Sequence, residues 1–517
     1  MKMMTGSTPR QMALIVLTGY MVIGFILMNL YPHQMTTDSL SYISIAQKYA
    51  RGHFHDAINW VWSPLISWLL APFVLMGISP LDAIKIIGLM TGMAGFLACR
   101  QISQEFDIPD QIQTILFFAL IPMFFAFTLT NPNPDFLVAV ILLFYVRRVL
   151  AEDYGKSDKD GLCCGLLGAL AYFAKAYAFP FFILHFTLMN LCRYYGAAEP
   201  ALRNRIWRSF GSGMLTFMFV VSPWIYALYE KYDQLTFSTI GSYNFQLVNS
   251  EPGSSLLFSG FSAPTNPTAI SAWEDPMRMA EGRWKPLDLP RTIQNTLSRI
   301  CANALKTLET YQAGSLFSAT IILFSMGGLL GLARRELLGH KVFLAVLTII
   351  IHPSGYLPLL VDRRYLYLDI LLILVLGAYW LNRYPFSMHQ RKIAAIVILS
   401  LSFALTPVRD LRACLFMNQE VYDLSVALKE MGVGGHVGSN GNHDQSLFAT
   451  YFISTNREAK YLGVSPPGVT KNQLAIDFKN YGIDYYLCWK DHPCHLDSGY
   501  PEIAGPGLKP LSVYRVK

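Results

Sequence analysis

The sequence predicts an all-α polytopic membrane protein that carries a small α/β domain at its C-terminus. The chain is 53% hydrophobic and only 15% charged, whereas soluble domains are about one quarter charged. Apolar runs of membrane-spanning length, roughly 17–25 residues, recur through the first four fifths of the chain. Beyond them, helix-like EVYDLSVALKEMG and SLFATYFIS alternate with strand-like GGHVGS and IDYYLCW. We therefore expect a transmembrane domain at 1–408 and an α/β domain at 409–517.

The apolar runs predict about eleven transmembrane helices. The first, 11–31, is longer than the ~7–15 residues of a signal-peptide core and precedes no small-x-small cleavage motif, so we expect a retained span. The run 62–77 is short, and Pro64 and Pro72 interrupt it near tryptophans, which favours an interfacial or re-entrant helix over a crossing. Pro180 is expected to divide the long run 161–195. The other predicted spans are 80–100, 111–131, 134–150, 161–177, 178–195, 209–229, 312–333, 342–357, 364–382 and 393–408.

The basic residues predict the orientation. If the N-terminus is cytoplasmic, Lys and Arg concentrate in inside loops, as the positive-inside rule requires. The formal charge of +7 then reflects membrane orientation rather than nucleic-acid binding. An odd number of spans makes the C-terminal domain extracytoplasmic, in a multi-pass protein of the cell inner (plasma) membrane. The inside loops are 1–10, 100–110, 147–160, 193–208, 334–341 and 383–392.

Two loops on the outer side are long and polar: 32–79, and 230–311, which is rich in Ser, Pro and aromatic residues. Loops of such length usually carry function or form a lid. The eight cysteines show no zinc-ligand spacing. Cys488 and Cys494 could pair if the C-terminus is extracytoplasmic, and the sequence leaves that open.

Five ionisable residues are expected at the outer ends of separate spans. They are Asp38 (TTDSLSY), Asp135 (NPNPDF), Lys175 (YFAKAYAFP), Arg363 and Arg364 (VDRRYLY). Charged residues at such depth are costly, which favours a function for them. An acid there could deprotonate a hydroxyl while the cations hold a phosphate.

Structural roles are open for each of these residues. Asp38 and Asp135 could cap helices, and Lys175 could extend its ammonium to the membrane interface. The two arginines could be interface anchors, although two outer arginines run against the positive-inside bias. The histidines, including His352, have no metal-ligand spacing and are interpreted as polar loop residues.

Several segments, in chain order, together resemble the GT-C superfamily of membrane glycosyltransferases, particularly the protein O-mannosyltransferase and lipid A aminoarabinose transferase type. In the first polar loop, Asp38 precedes the helix-like SYISIAQKYARG, and the aromatic-proline segment WSPLISWLLAPFVLMG follows. Asp135 opens a later span after NPNP, and Lys175 lies in GLLGALAYFAKAYAFP. Two later segments complete the resemblance: a proline-tryptophan near a span end followed by a polar loop, SPWIYALYEKYDQLTFSTIGSYNF, and an arginine-tyrosine that opens a span, RRYLYLDILLIL. Ser39 stands where many relatives have a second adjacent acid, and WSP replaces a Lys-Pro-Pro or His-Pro-Pro triplet.

The resemblance implies transfer of a sugar from a polyprenyl-phosphate carrier to a hydroxyl of a protein, lipid A or glycan acceptor on the outer membrane face. Asp38 would be the general base, and Asp135 would orient Lys175 or the acceptor. Lys175, Arg363 and Arg364 would bind the donor phosphate. No nucleotide cofactor is expected, and a divalent-metal requirement stays open. Further substrate contacts are expected from Tyr42, His55, Tyr243, Asn244 and Tyr365.

Three other functions compete with this hypothesis. A flippase or transporter of lipid-linked sugars would need polar pathways on both faces, and the absence of a visible internal repeat weakens it. An O-antigen polymerase or ligase would use a diphosphate donor. A C-terminal binding module with a membrane anchor would not need eleven spans.

Overall fold

A computed structural model describes residues 9–249, 260–279, 289–455, 457–496, 499–503 and 511–517, and most of these residues are helical. The chain forms two compact units, each built from three stretches of sequence. The first contains Met1–Leu30, Ile84–Phe237 and Leu289–Leu415, and the second contains Tyr31–Ala83, Ser238–Asp288 and Phe416–Lys517.

The first unit is a bundle of helices. Five described helices are long and apolar enough to cross a membrane: Pro80–Glu105, Asp110–Leu129, Pro200–Tyr232, Arg363–Arg383 (which begins with the 3₁₀ turn Arg363–Leu366) and His389–Ala413. This agrees with a polytopic membrane protein, but the count of eleven spans is not confirmed. The other helices of the unit are Pro9–Met28, Asp135–Leu150, Lys159–Ala174, Ala178–Gly196, Leu289–Gly314, Ser318–Gly327, Arg334–Gly339 and Lys341–Ser354.

Two predicted boundaries are informative. The run 161–195 does form two helices, but the break lies at residues 175–177, and Pro180 sits in the first turn of the second helix. Proline is tolerated there because a first-turn N–H has no intrahelical partner. The prediction of one span over 312–333 is wrong, because one helix ends at Gly314 and the next begins at Ser318. Ser315 lies in the gap, and its hydroxyl contacts the Ser402 hydroxyl at 2.6 Å.

The second unit combines short helices with a six-stranded sheet. The strands are β1 (Gly260–Phe261), β2 (Gly435–Ser439), β3 (Ala459–Val464), β4 (Tyr485–Trp489), β5 (Glu502–Ile503) and β6 (Leu511–Arg515), in the spatial order β1-β3-β2-β4-β6-β5. β2 pairs in parallel with β3 and β4, and the remaining pairs are antiparallel. The helices are Thr37–Ala50, Phe54–Ala57, Leu65–Leu75, Ile240–Asn249, Ala272–Glu274 (3₁₀), Pro276–Met279, Gln419–Glu430, His443–Ser454 and Lys471–Tyr481.

The helices and strands of the second unit confirm the patterns predicted after residue 408, and the sheet contains further strands that were not predicted. β1 comes from the long loop 230–311, and its Phe261 lies in the buried core beside Phe478 and Tyr486. Cys488 and Cys494 form a disulfide, with their Cα atoms 5.8 Å apart. The helix Leu65–Leu75 has 11 residues, so it is short, as expected from the run 62–77.

Candidate active site

Three chain segments of the first unit each contribute one charged residue to a common cluster. Asp135 begins the helix Asp135–Leu150 directly after Pro134, and a carboxylate is favoured at a helix N-terminus. Lys175 follows the helix Lys159–Ala174 with extended backbone (φ −153°, ψ 126°). Arg364 lies in the 3₁₀ turn that precedes Tyr367–Arg383. We call Asp135, Lys175 and Arg364 the Asp135 cluster.

One carboxylate bridges two cations in the Asp135 cluster. Lys175 Nζ forms an ion pair with Asp135 Oδ1, and Arg364 Nε lies 3.6 Å from Asp135 Oδ2. The Asp135 side chain is only 5% exposed, whereas those of Lys175 and Arg364 are 21% and 17% exposed. Within the cluster, the two cations are therefore more exposed to a ligand than the carboxylate is.

Tyrosine rings lie beside the two cations of the cluster. Lys175 Nζ lies 3.6 Å from the centroid of the Tyr365 ring and 5.6 Å from that of Tyr356. These two rings stack with centroids 4.7 Å apart, and Tyr177 stacks on Tyr356 at 3.9 Å. A ring face attracts a cation without neutralising it. The expected substrate contact Tyr365 is thus a neighbour of Lys175.

Arg363 points to a different carboxylate. Its guanidinium forms an ion pair with Asp410 of the helix His389–Ala413, and both side chains are more than a quarter exposed. Asp362 adds a third carboxylate: one oxygen accepts a hydrogen bond from the Arg364 backbone N–H (3.1 Å), and the other lies 3.9 Å from Arg364 Nε. Asp362 and Asp410 were not anticipated from the sequence.

A buried pair lies among the same tyrosines. His352 Nδ1 is 2.8 Å from Asp369 Oδ2, and both side chains are almost fully buried. The Tyr177 hydroxyl donates a hydrogen bond to the His352 carbonyl. The interpretation of His352 as a polar loop residue is therefore wrong, because it belongs to the helix Lys341–Ser354 and has a buried acidic partner. Its position 17 residues before Asp369 gives no local signal for the pair.

Asp38 belongs to the second unit, in the first turn of the helix Thr37–Ala50. The cap of this helix is Thr36, whose hydroxyl accepts from the Ser39 N–H (3.1 Å), while the Thr36 N–H donates to the Ser39 hydroxyl (2.8 Å). Asp38 is thus not the helix cap that the local pattern allowed. Burial and the negative charge of Asp38 raise the pKa of Asp444, which lies in the first turn of His443–Ser454. Sequence reasoning did not connect these two acids.

The other expected contacts of the second unit differ in exposure. Tyr42 and Tyr243 are buried, and burial raises the pKa of Tyr243. Their rings pack edge-on against Trp62 (5.3 Å) and Trp273 (6.1 Å) respectively. The other two expected contacts are more accessible. His55 is exposed, with its Nδ1 3.9 Å from Asp56 Oδ1, and Asn244 is half-buried.

Glu274 is the residue of the second unit that sequence reasoning missed most completely. Its carboxylate pairs with Lys48 and accepts hydrogen bonds from Ser44 (2.6 Å) and Asn266 (3.3 Å). Its carbonyl accepts from Asn59 (2.8 Å) and from the Trp62 indole (3.0 Å). This segment of the loop 230–311 is therefore attached to the first polar loop by buried polar contacts.

The described residues contain no group of three or more His, Cys, Asp or Glu side chains that could hold a metal ion. The fold and the Asp135 cluster define a multi-helix membrane protein whose helix ends gather cations. No protein-family model and no curated protein matches the sequence.

Solved structures nevertheless share the fold. ArnT from Cupriavidus metallidurans, bound to undecaprenyl phosphate, aligns over 98% of both chains with a TM-score of 0.58 and 11% identity. The Archaeoglobus fulgidus oligosaccharyltransferase aligns over 92% of this chain and 69% of its own, also with a TM-score of 0.58 and 11% identity. Arabinofuranosyltransferase AftD from Mycobacteria aligns over 99% of this chain and 42% of its own, with a TM-score of 0.53 and 13% identity. The chain therefore has the GT-C fold that its motifs suggested.

Proposed function

We propose that the protein is a glycosyltransferase that moves a sugar from a polyprenyl-phosphate carrier to a hydroxyl acceptor on the outer face of the inner membrane. The observation that carries this proposal is the Asp135 cluster, two accessible cations around one carboxylate, in a fold shared with an undecaprenyl-phosphate-bound ArnT. A further neighbour, the archaeal oligosaccharyltransferase AglB, is described in complex with a dolichol-phosphate.

The cations suit a lipid phosphate for electrostatic reasons. Arg364 can contact a phosphate through two N–H groups, whereas Lys175 acts as a compact point charge. The Tyr356 and Tyr365 rings line the cations with low-polarity surface, and charges interact more strongly where water is partly excluded. Arg363 would also bind the phosphate if it gave up its ion pair with Asp410.

The proposed reaction is a direct displacement at the anomeric carbon. Asp38 accepts the proton of the acceptor hydroxyl, whose oxygen forms the new bond to the sugar. The bond between the anomeric carbon and the phosphate oxygen breaks, and the electron pair leaves with the polyprenyl phosphate. Lys175 and Arg364 stabilise the charge that develops on that leaving group. The displacement inverts the anomeric configuration.

The disulfide and the basic loops support an outer position of the second unit. Disulfides persist in oxidising compartments outside the cytoplasm. The concentration of Lys and Arg in the predicted inside loops gives the same orientation.

Asp38→Asn tests the proposal. Thr36 caps the helix, so the substitution should leave the fold intact and reduce transfer from a polyprenyl-phosphate sugar roughly 10²- to 10⁴-fold. Asp56→Asn, the same charge change in the same loop, is the control and should retain activity. The assay follows transfer by the purified protein in liposomes, with mass spectrometry of protein, lipid A and glycan acceptors. Turnover by Asp38→Asn equal to wild type would remove Asp38 from the mechanism.

A further inference from the structure

The two cations that the proposed function assigns to the donor phosphate share one carboxylate. Asp135 pairs with Lys175 through one oxygen and lies 3.6 Å from Arg364 through the other. A phosphate that binds these cations through the same N–H groups competes with Asp135 for them. We propose, resting on the proposed function, that Asp135 is a competing counter-ion that promotes release of the polyprenyl-phosphate product.

The charge change of the reaction makes such a counter-ion useful. A polyprenyl-phosphate sugar is a phosphodiester with a single negative charge. After the sugar leaves, the carrier is a phosphate monoester with a charge of about −1.5 to −2 near neutral pH. Two cations therefore hold the product more tightly than the donor. Without a competing anion, each turnover would end with a strongly bound product.

The placement of Asp135 fits this role. Its carboxylate is buried at the start of a helix, where the peptide dipoles favour a negative charge even when a cation moves away. Lys175 also rests on the Tyr365 ring at 3.6 Å, so its ammonium keeps one favourable contact while it exchanges a carboxylate for a phosphate. The exchange thus moves a partly exposed side chain and leaves the buried one in place.

The alternative role for Asp135, orienting Lys175 toward the phosphate, predicts the opposite effect of neutralisation. A residue that orients Lys175 should weaken phosphate binding when it is removed. A residue that competes with the phosphate should strengthen it. The sign of one affinity change therefore separates the two roles.

The experiment measures binding of undecaprenyl phosphate to the purified full-length protein, with undecaprenol as the uncharged reference. Asp135→Asn should bind undecaprenyl phosphate roughly 10- to 100-fold more tightly than wild type, by the Coulomb energy of one nearby charge in partly screened surroundings. Its affinity for undecaprenol should not change. Steady-state kcat should fall while the first turnover stays fast, because product release becomes limiting.

Two further variants control the result. Asp153→Asn makes the same charge change beyond the other end of the helix Asp135–Leu150, where Asp153 pairs with Arg148, and should leave the affinity unchanged. In a Lys175→Met background the effect of Asp135→Asn should shrink, because one of the contested cations is gone. Asp135→Ser provides a second neutral side chain if the asparagine variant does not fold.

Unchanged or weaker binding of undecaprenyl phosphate by the neutral variants would overturn the proposal, and so would failure of both to fold. Either result is still compatible with the proposed function if wild type binds undecaprenyl phosphate more tightly than undecaprenol. A wild-type protein that does not distinguish the two lipids would instead contradict the proposed function itself.

Discussion

Each unit contains a lysine–carboxylate pair, and the two pairs differ in how completely their charges are satisfied. Lys48 and Glu274 in the second unit are 2% and 3% exposed, and Ser44 and Asn266 complete the bonding of the carboxylate. Lys175 in the first unit is 21% exposed beside its buried partner Asp135. The first pair is closed to ligands, whereas the second leaves its cation within reach.

The difference in exposure indicates that one pair stabilises the fold and the other binds a ligand. A buried pair with a full set of hydrogen bonds has no capacity for another anion, and its loss leaves an uncompensated charge in the interior. Deletion of Lys175 costs less, because the buried Asp135 keeps a second cation, Arg364, whose Nε lies 3.6 Å from its other oxygen. We therefore assign Lys48 and Glu274 to the structure of the second unit and Lys175 to ligand binding.

The largest expected effect is on folding. Lys48→Met should lower the free energy of unfolding by about 3–5 kcal/mol, because Glu274 keeps its charge without its partner. Lys175→Met should cost much less, about 1 kcal/mol, because Asp135 keeps Arg364 beside it. Thermal unfolding of both purified variants measures the contrast. The double substitution Lys48→Met, Glu274→Leu should recover much of the loss, and equal destabilisation by the two single variants would refute the distinction.

A half-buried histidine, His443, makes the stability of the second unit depend on pH. Burial lowers the pKa of His443 from its ordinary 6.5 to about 4. Between these values the unfolded chain binds a proton that the folded chain does not, so stability falls as the pH is lowered from about 7 to about 4, by up to about 3 kcal/mol. The raised pKa of Asp444 opposes part of this loss.

His443→Asn should flatten the dependence, because the amide does not titrate. Unfolding of wild type and variant at several pH values in that range is the measurement. A variant that loses stability as steeply as wild type would show that His443 does not carry the effect.

Local sequence signals predicted much of the first unit. Asp135 after Pro134 has the chemistry of a helix start, Arg364 precedes an apolar run, and Lys175 lies in a run too long for one crossing. The meeting of these three side chains follows from helix packing, which no local pattern encodes. Their proximity was expected only because several span ends were placed on one side of the membrane.

Contacts between residues far apart in the chain could not be predicted from the sequence. Lys48 and Glu274 are 226 residues apart, and each resembles an ordinary charged residue in its own surroundings. Asp38 illustrates a local ambiguity: TTDS contains several residues able to cap a helix, and only the backbone conformation selects Thr36. β3 was missed because Lys460 and Gly463 interrupt its apolar pattern, although it lies inside the sheet.

The central claim is that the Asp135 cluster binds the phosphate of a polyprenyl carrier. The most direct test compares the affinities of wild type and Lys175→Met for undecaprenyl phosphate and undecaprenol. We predict that wild type prefers the phosphate and that Lys175→Met loses roughly tenfold or more of that preference, while its affinity for undecaprenol and its melting temperature change little. Equal preference for the phosphate in wild type and Lys175→Met would contradict the account.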